Sequence, residues 1–446
     1  MTIPDSIIIV GSGEFGLSTA LALTTRPNFS HTKITLLDRL PFPSADGSSI
    51  DSSRIVRPDY SDPCYARLCH DAQQIWRGDI PSDPLHGIGD EDRYTEQGLV
   101  LTAEEGSGEY VEKSFSTVGR VLKEVGARCE LELLKDQAGI ERVCKGRTQK
   151  ANGVHAFGQR GYVNWTSGWA NAEEAVRFVR KRVEGTGRVG FEEAVVVGLV
   201  EERGKVVGVK LGDGGERQAD LVVLATGAWT PGLVDLEGRT VATGQTLAYL
   251  KLTEEEYQEI RDMPVVFNLS NGIFFIVQHD RVLKIARHAA GYLHLDSDGI
   301  SKPRTAVTHP GLEIPEESRK EFHEAVKKFL PRIPHREFEK TRLCWYNDTA
   351  TGDFIVDYHP EKKGLFLATG GSGHGFKFLP IIGRHIVDIL EGVEGAEYKT
   401  KWKWPQQREL VVTKDGSRGG QGVHVYLTKD GKEHREEKGA GFTAKL

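Results

Sequence analysis

Ile7-Ile8-Ile9-Val10-Gly11-Ser12-Gly13-Glu14-Phe15-Gly16 decides the fold. Four β-branched residues in a row suit a buried parallel strand, and the glycine pattern that follows without a gap is the turn such a strand makes into a helix when it carries a dinucleotide. Leu17 to Thr24 reads as that helix, and Lys33-Ile34-Thr35-Leu36-Leu37 as a second strand ending at Asp38. Each glycine has its own use: Gly11 makes the tight turn, Gly13 lets the backbone approach a pyrophosphate, and Gly16 lets the helix pack against the strand. Asp38, some twenty residues after Gly16, is placed to accept from a ribose hydroxyl.

Two later apolar strands share an ending. Leu221-Val222-Val223-Leu224-Ala225-Thr226-Gly227 and Gly364-Leu365-Phe366-Leu367-Ala368-Thr369-Gly370 both close on Ala-Thr-Gly, where small residues let the backbone meet the dinucleotide again, Gly227 among them. Trp169 to Val183 has helical spacing, and Glu192 to Val200 reads as a strand. The expected fold class is α/β, a Rossmann-like domain interleaved with a mostly antiparallel α+β substrate domain. Residues 1–90, 162–235 and 344–404 form the discontinuous cofactor domain; 91–161 and 236–343, rich in apolar and polar alternation, form the substrate domain. Residues 405–446 are dominated by Gly, Lys, Glu and Arg and read as a flexible or weakly docked tail.

At 446 residues the chain exceeds what one core usually organises. A net charge of −6 with scattered basic residues argues against a nucleic-acid surface, and no apolar run approaches the ~20 residues that cross a bilayer. Cys64, Cys69, Cys129, Cys144 and Cys344 make an odd count with no metal-like spacing, so no metal is expected and the compartment reads as reducing and intracellular.

The other informative stretch runs from Cys344-Trp345-Tyr346 to Gly370-Gly371-Ser372-Gly373-His374-Gly375-Phe376-Lys377-Phe378, ahead of the apolar-periodic Leu379 to Leu390. A glycine-rich turn that opens a helix offers backbone N–H groups and the positive end of a helix dipole to an anionic group. Without a Gly-Lys-Ser/Thr ending it is not a nucleotide P-loop. A cysteine ahead of this turn, together with the N-terminal fingerprint, suggests a flavin gripped covalently at its ring and electrostatically at its pyrimidine edge.

On these motifs the chain resembles the sarcosine oxidase-like flavoprotein amine oxidases, which include monomeric sarcosine, pipecolate, saccharopine and fructosyl amino acid oxidases. The likeness runs from Ile7 to about Trp404 and includes Ser52-Ser53-Arg54-Ile55-Val56-Arg57 and Leu283-Lys284-Ile285-Ala286-Arg287-His288. It implies FAD bound by Gly11, Gly13, Gly16, Asp38, Ser53, Arg54, Gly227, Gly373, His374, Gly375 and Lys377, and attached through a thioether to Cys344. That attack needs a thiolate, and so an electropositive setting. The resemblance further implies that Arg57 and Lys377 bind a substrate carboxylate, with Tyr346 donating to it, and that Arg54 lies against the flavin ring. Lys284 is expected to speed the reaction with oxygen by a fixed positive charge. His288 is expected as a substrate-side polar group or weak base.

The implied activity is oxidation of a secondary-amine α-amino acid, N-alkylated or cyclic, to an imine, with O2 giving H2O2. Fructosyl amino acid oxidases commonly carry Glu where this chain has His288 and Lys where it has Arg54, which favours the sarcosine, pipecolate and saccharopine side. Within the family the alternatives are a deglycating fructosyl amino acid oxidase and a secondary-metabolite tailoring amine oxidase; two readings of other classes are a nicotinamide-dependent reductase, which leaves Cys344 and Lys377 without a role, and a flavin-binding protein without turnover. Ala444-Lys445-Leu446 resembles the peroxisomal Ser-Lys-Leu address. The expected partners are therefore the amino acid, O2 and a peroxisomal import receptor, with the chain a monomer.

Overall fold

The computed structural model describes residues 3–406, 408, 413, 415–420, 425–427 and 433–434. The opening stretch folds as strand Ser6–Val10, helix Glu14–Thr25 and strand Lys33–Asp38. These belong to a six-stranded sheet ordered Ile355–Tyr358, Leu365–Thr369, Leu221–Leu224, Ser6–Val10, Lys33–Asp38 and Val189–Glu193. All neighbours are parallel except the first pair. Both strands that end in Ala-Thr-Gly thus lie on one side of the first strand.

Strand alternation decides which layer covers each face. Ile7, Ile9, Val223, Phe366 and Ala368 pack with helices, among them Glu14–Thr25, Ala172–Gly185 and Ile382–Glu391. Ile8, Val10, Val222, Leu224, Leu365 and Leu367 face Val206, Val209 and Leu211 of a three-stranded antiparallel sheet. The second unit is an 11-stranded sheet organised on the long strand Thr240–Lys251, which pairs antiparallel with both Lys340–Thr349 and Val282–Arg287.

Three sequence expectations move. The helix expected from Trp169 starts at Ala172, because Asn171 caps it by accepting from the Glu174 amide; Gly168–Ala170 instead pairs with Arg54–Val56. The strand expected over 192–200 is two, Val189–Glu193 at the edge of the parallel sheet and Val196–Glu202 in the three-stranded one. The glycine-rich turn closes on a short 3-10 turn, Phe376–Phe378, and the helix begins only at Ile382, after Pro380. No helix dipole therefore points out of that turn.

Among the described residues no helix is long and apolar enough to cross a membrane. Most of the expected tail lies outside the described residues, and so does Ala444-Lys445-Leu446. Its described part is seated on the body: the Gly419 amide donates to the His288 carbonyl at 3.0 Å, and Tyr292–Leu293 pairs in parallel with Val425–Tyr426.

Candidate active site

A groove of about 520 Å³ begins between Asp38, Arg39 and Val197, crosses Gly11–Glu14 and Ala225–Trp229, and ends at Arg54, Tyr346, Gly371–Gly373, Gly375 and Phe376. At its centre Gly11 has φ +105°, and a side chain there would put Cβ 2.5 Å from the Ala225 carbonyl oxygen. Gly16 does not line the groove. It packs beneath it, where a Cβ would fall 1.8 Å from the Gly11 carbonyl oxygen, which is the helix-packing use expected of it. The Asp38 carboxylate holds the turn by accepting from the Ser12 amide and hydroxyl at 2.7 and 2.6 Å and from Ser44 Oγ at 2.5 Å.

A smaller cavity of about 70 Å³ adjoins this end of the groove and shares Arg54, Tyr346, Gly373 and Phe376 with it. Sheet register assembles its walls. Thr240–Lys251 places Gln245 opposite Cys344, Thr243 opposite Tyr346, and Tyr249 opposite Lys284. Since side chains alternate along a strand, Cys344 and Tyr346 share one face, as do Lys284, Ala286 and His288, and all five line the cavity.

On one side of the cavity two cations share a carboxylate. Lys284, only 1% exposed, donates to Asp51 Oδ2 and to the Ser53 carbonyl, both at 2.7 Å. Arg54 donates to the same Asp51 oxygen, to the Ser48 carbonyl at 2.6 Å and to Cys344 Sγ at 3.3 Å. Tyr249 donates to the other Asp51 oxygen at 2.6 Å. Burial pushes the Asp51 carboxyl up, but Arg54 and then Lys284 outweigh it and hold the group well below the usual carboxylate range. Burial pulls Lys284 down to about 8, against the opposing pull of Asp51. Ser53 Oγ is taken by Gln278 Nε2 at 2.8 Å.

On the other side two cations touch no carboxylate, although the buried Asp59 carboxylate attracts both from beyond ion-pair distance. Arg57 and Lys377 are each 5% exposed and line the cavity, and neither forms an ion pair among the described residues. Arg57 donates to the Asp59 carbonyl, while the Asp59 carboxylate accepts from Ser167 at 2.6 Å and Asn164 at 3.0 Å. Lys377 Nζ donates to Tyr60 Oη and the His374 carbonyl, both at 2.8 Å. Burial and then the nearby Arg57 pull Lys377 down to about 7. His374 Nε2 meets the Gly352 carbonyl at 2.8 Å, so its Nδ1 accepts from Tyr60 at 3.0 Å.

His288 is held by a residue of the carboxy-terminal segment. Arg418 reaches His288 Nδ1 at 3.2 Å, the Ser372 carbonyl at 3.0 Å and Asp348 at 2.5 Å, the last pair only 3% exposed on each side. Since Arg418 can only donate, His288 carries its proton on Nε2; burial and then Arg418 push it well below the usual imidazole range and keep it neutral. Gly373, with φ +69°, lies against Tyr346, where a Cβ would come 2.4 Å from the ring.

The structure therefore gathers Ser53, Arg54, Arg57, Lys284, His288, Cys344, Tyr346, Gly373, His374 and Lys377 about the small cavity, and Gly11, Gly13, Asp38, Gly227 and Gly375 along the groove. An elongated dinucleotide fits this set: an acid beside a glycine turn at one end, a guanidinium and a cysteine at the other. Asp51, Tyr60, Tyr249, Asp348 and Arg418 were missed, because each enters the site through tertiary register and belongs to no local motif.

Comparison with known proteins agrees with this geometry. The profile of the DAO family, FAD dependent oxidoreductases, matches residues 6–389. Amino acid oxidase imqH of Aspergillus flavus is 32% identical over 91% of this chain and 98% of its own length. L-saccharopine oxidase of Schizosaccharomyces pombe is 29% identical, covering 90% of this chain and 93% of its own. Among solved structures, the deglycating fructosamine oxidase Amadoriase II of Aspergillus fumigatus superposes with a TM-score of 0.78 at 26% identity, covering 99% of both chains.

Proposed function

We propose, on the premise that this chain belongs to the family of FAD dependent oxidoreductases, that its amine substrate is a secondary-amine α-amino acid, N-alkylated or cyclic, oxidised to an imine. The observation that carries this reading is the pair of buried cations, Arg57 and Lys377, beside the end of the groove, neither of which forms an ion pair among the described residues. Buried charges are paired in folded proteins unless a ligand pairs them. A guanidinium fork and an ammonium can hold the two oxygens of one carboxylate and so fix the α-carbon.

Bound FAD would supply a two-electron acceptor for oxidation of the amine to the imine, with O2 as the final acceptor, reduced by two electrons and two protons to hydrogen peroxide. Arg57 and Lys377 bind and orient the carboxylate, and Tyr346 adds a hydrogen bond. His288, neutral, presents an N–H. Arg54 and Lys284 set a positive field at the cofactor end, where negative charge develops. Arg54 also puts a guanidinium beside the Cys344 sulfur, which supports a thioether attachment there. The resemblance of the last three residues to a peroxisomal address supports delivery to that organelle by its import receptor.

Acid precipitation of the purified protein, followed by peroxide release with secondary amino acids, tests the reading. A yellow pellet and peroxide are expected; a colourless pellet with a yellow supernatant rules out the Cys344 bond, and no peroxide with any secondary amino acid rules out the activity. A deglycating oxidase is the second reading, favoured by the structural likeness to Amadoriase II.

A further inference from the structure

We propose that the substrate is a monocarboxylate whose remaining side chain is apolar, an N-alkylated or cyclic amino acid bearing an aliphatic or aromatic group. This rests on the reading above that the small cavity receives the amino acid. Among the described residues five cationic residues line the cavity: Arg54, Arg57, Lys284, Arg287 and Lys377. Arg54 and Lys284 are spent on Asp51. Arg287 is held by Glu321 at 2.5 Å and by the Asn271 carbonyl at 3.2 Å. Arg57 and Lys377 remain, enough for one carboxylate.

A second carboxylate would be stripped of water with no free cation to meet it, which is costly in a buried site. A polyol fares no better. Among the described residues no Asp, Glu, Asn or Gln lines the cavity to accept its hydroxyls, and the Ser53 hydroxyl already takes the Gln278 amide. What the cavity does offer is hydrocarbon: Ile55, Leu247, Phe267, Phe274, Ala286 and Phe376. Phe267 and Phe274 meet edge to face with centroids 5.5 Å apart, a fixed aromatic wall. Arg57 lies 5.9 Å from the centre of the Phe267 ring, so an anchored carboxylate leaves its neighbouring side chain beside that wall.

The test is a peroxide-release series on the holoenzyme. N-methyl-L-phenylalanine, N-methyl-L-leucine and L-pipecolate are compared with N-methyl-L-glutamate, L-saccharopine and fructosyl-L-valine. The apolar monocarboxylates should lead by ~10²-fold or more in kcat/KM, the loss typical of an unpartnered buried polar group. A dicarboxylate, tricarboxylate or polyol adduct within tenfold of the best apolar substrate overturns the proposal while leaving the secondary-amine reading standing. No turnover of any of the six overturns both.

A binding measurement makes the inference independent of turnover. Perturbation of the flavin absorbance should give a Kd for 3-phenylpropionate at least tenfold below that for glutarate, and the reverse order overturns the proposal. Phe274→Lys should raise kcat/KM for N-methyl-L-glutamate relative to N-methyl-L-phenylalanine by tenfold or more. An unchanged ratio in a folded, flavin-containing variant means the substrate side chain lies elsewhere, which also overturns it.

Discussion

Two pairs of buried cations flank the same small cavity, and they differ in one respect. Lys284 and Arg54 share the Asp51 carboxylate, which Tyr249 also holds. Arg57 and Lys377 are both buried, where Arg54 is only partly so, and neither forms an ion pair among the described residues; the Asp59 carboxylate attracts them from farther off. The first pair is complete without a ligand and provides a permanent field, whereas the second is completed only when an anion arrives. Burial with a partner marks machinery, and burial without one marks a binding site.

The sharpest way to break this contrast is to remove a cation from the open pair. Arg57→Met should lower kcat/KM by ~10³-fold, since truncating one partner of a desolvated charge pair costs about 2–5 kcal/mol. Flavin content and the reaction of chemically reduced enzyme with oxygen should stay as in the wild type. If the reaction with oxygen falls as much as kcat/KM, Arg57 belongs with the closed pair.

Removing a cation from the closed pair should do the opposite. Lys284→Met is expected to slow flavin reoxidation by air ~10²-fold, the cost of one preorganised charge, and to change flavin reduction by substrate far less. Stopped-flow traces with equal slowing of both half-reactions would reassign Lys284 to substrate.

A subtler change leaves both cations and removes only their carboxylate. The Asp51 carboxylate is the main group that holds the Lys284 ammonium protonated against burial, so Asp51→Asn should move the Lys284 pKa below its wild-type value of about 8. Reoxidation of the wild type should fall as pH rises through about 8. In the variant that fall should come at lower pH, leaving the rate ~10-fold down at neutral pH, with each unit of displaced pKa worth tenfold in protonated fraction. A pH–rate profile of reoxidation that is displaced upward or not at all would separate Asp51 from Lys284.

The smallest expected effect is on pH and affinity at the open pair. Lys377 titrates near 7 because burial and Arg57 disfavour its charge, so the ligand-free site loses one of its two cations as pH rises through that value. KM for a carboxylate substrate should therefore rise several-fold between pH 6.5 and 8.5, and Lys377→Met should flatten the profile. Initial-rate measurements across that range check both.

Much of this was legible in sequence because it is local. The strand, glycine turn and helix at residues 6–25, and the Ala-Thr-Gly endings at 225–227 and 368–370, follow from residue order alone. What escaped depends on partners distant in sequence. Asp51 lies beside Arg54, yet its importance comes from Lys284 and Tyr249, set opposite each other by strand register. The apolar run across 192–200 continues through a bend between two sheets, and periodicity does not mark which sheet a strand joins. Pro380 did carry a readable signal for the late start of the helix at Ile382, since a proline is poorly tolerated beyond a first turn.

The ion pair between Arg418 and Asp348 bears on how the protein is made. The central strand, Ser6–Val10, is flanked by Leu221–Leu224, which in turn needs Leu365–Thr369 beside it, and the site is closed by a residue later still. At translation rates of ~5–20 residues per second, the first strand waits tens of seconds for its last neighbours. During that wait a parallel sheet stands with an unpaired hydrophobic edge, the condition under which nascent chains aggregate or call on chaperones. Contacts spanning so much of the chain make folding slow and leave the cofactor pocket among the last features to form.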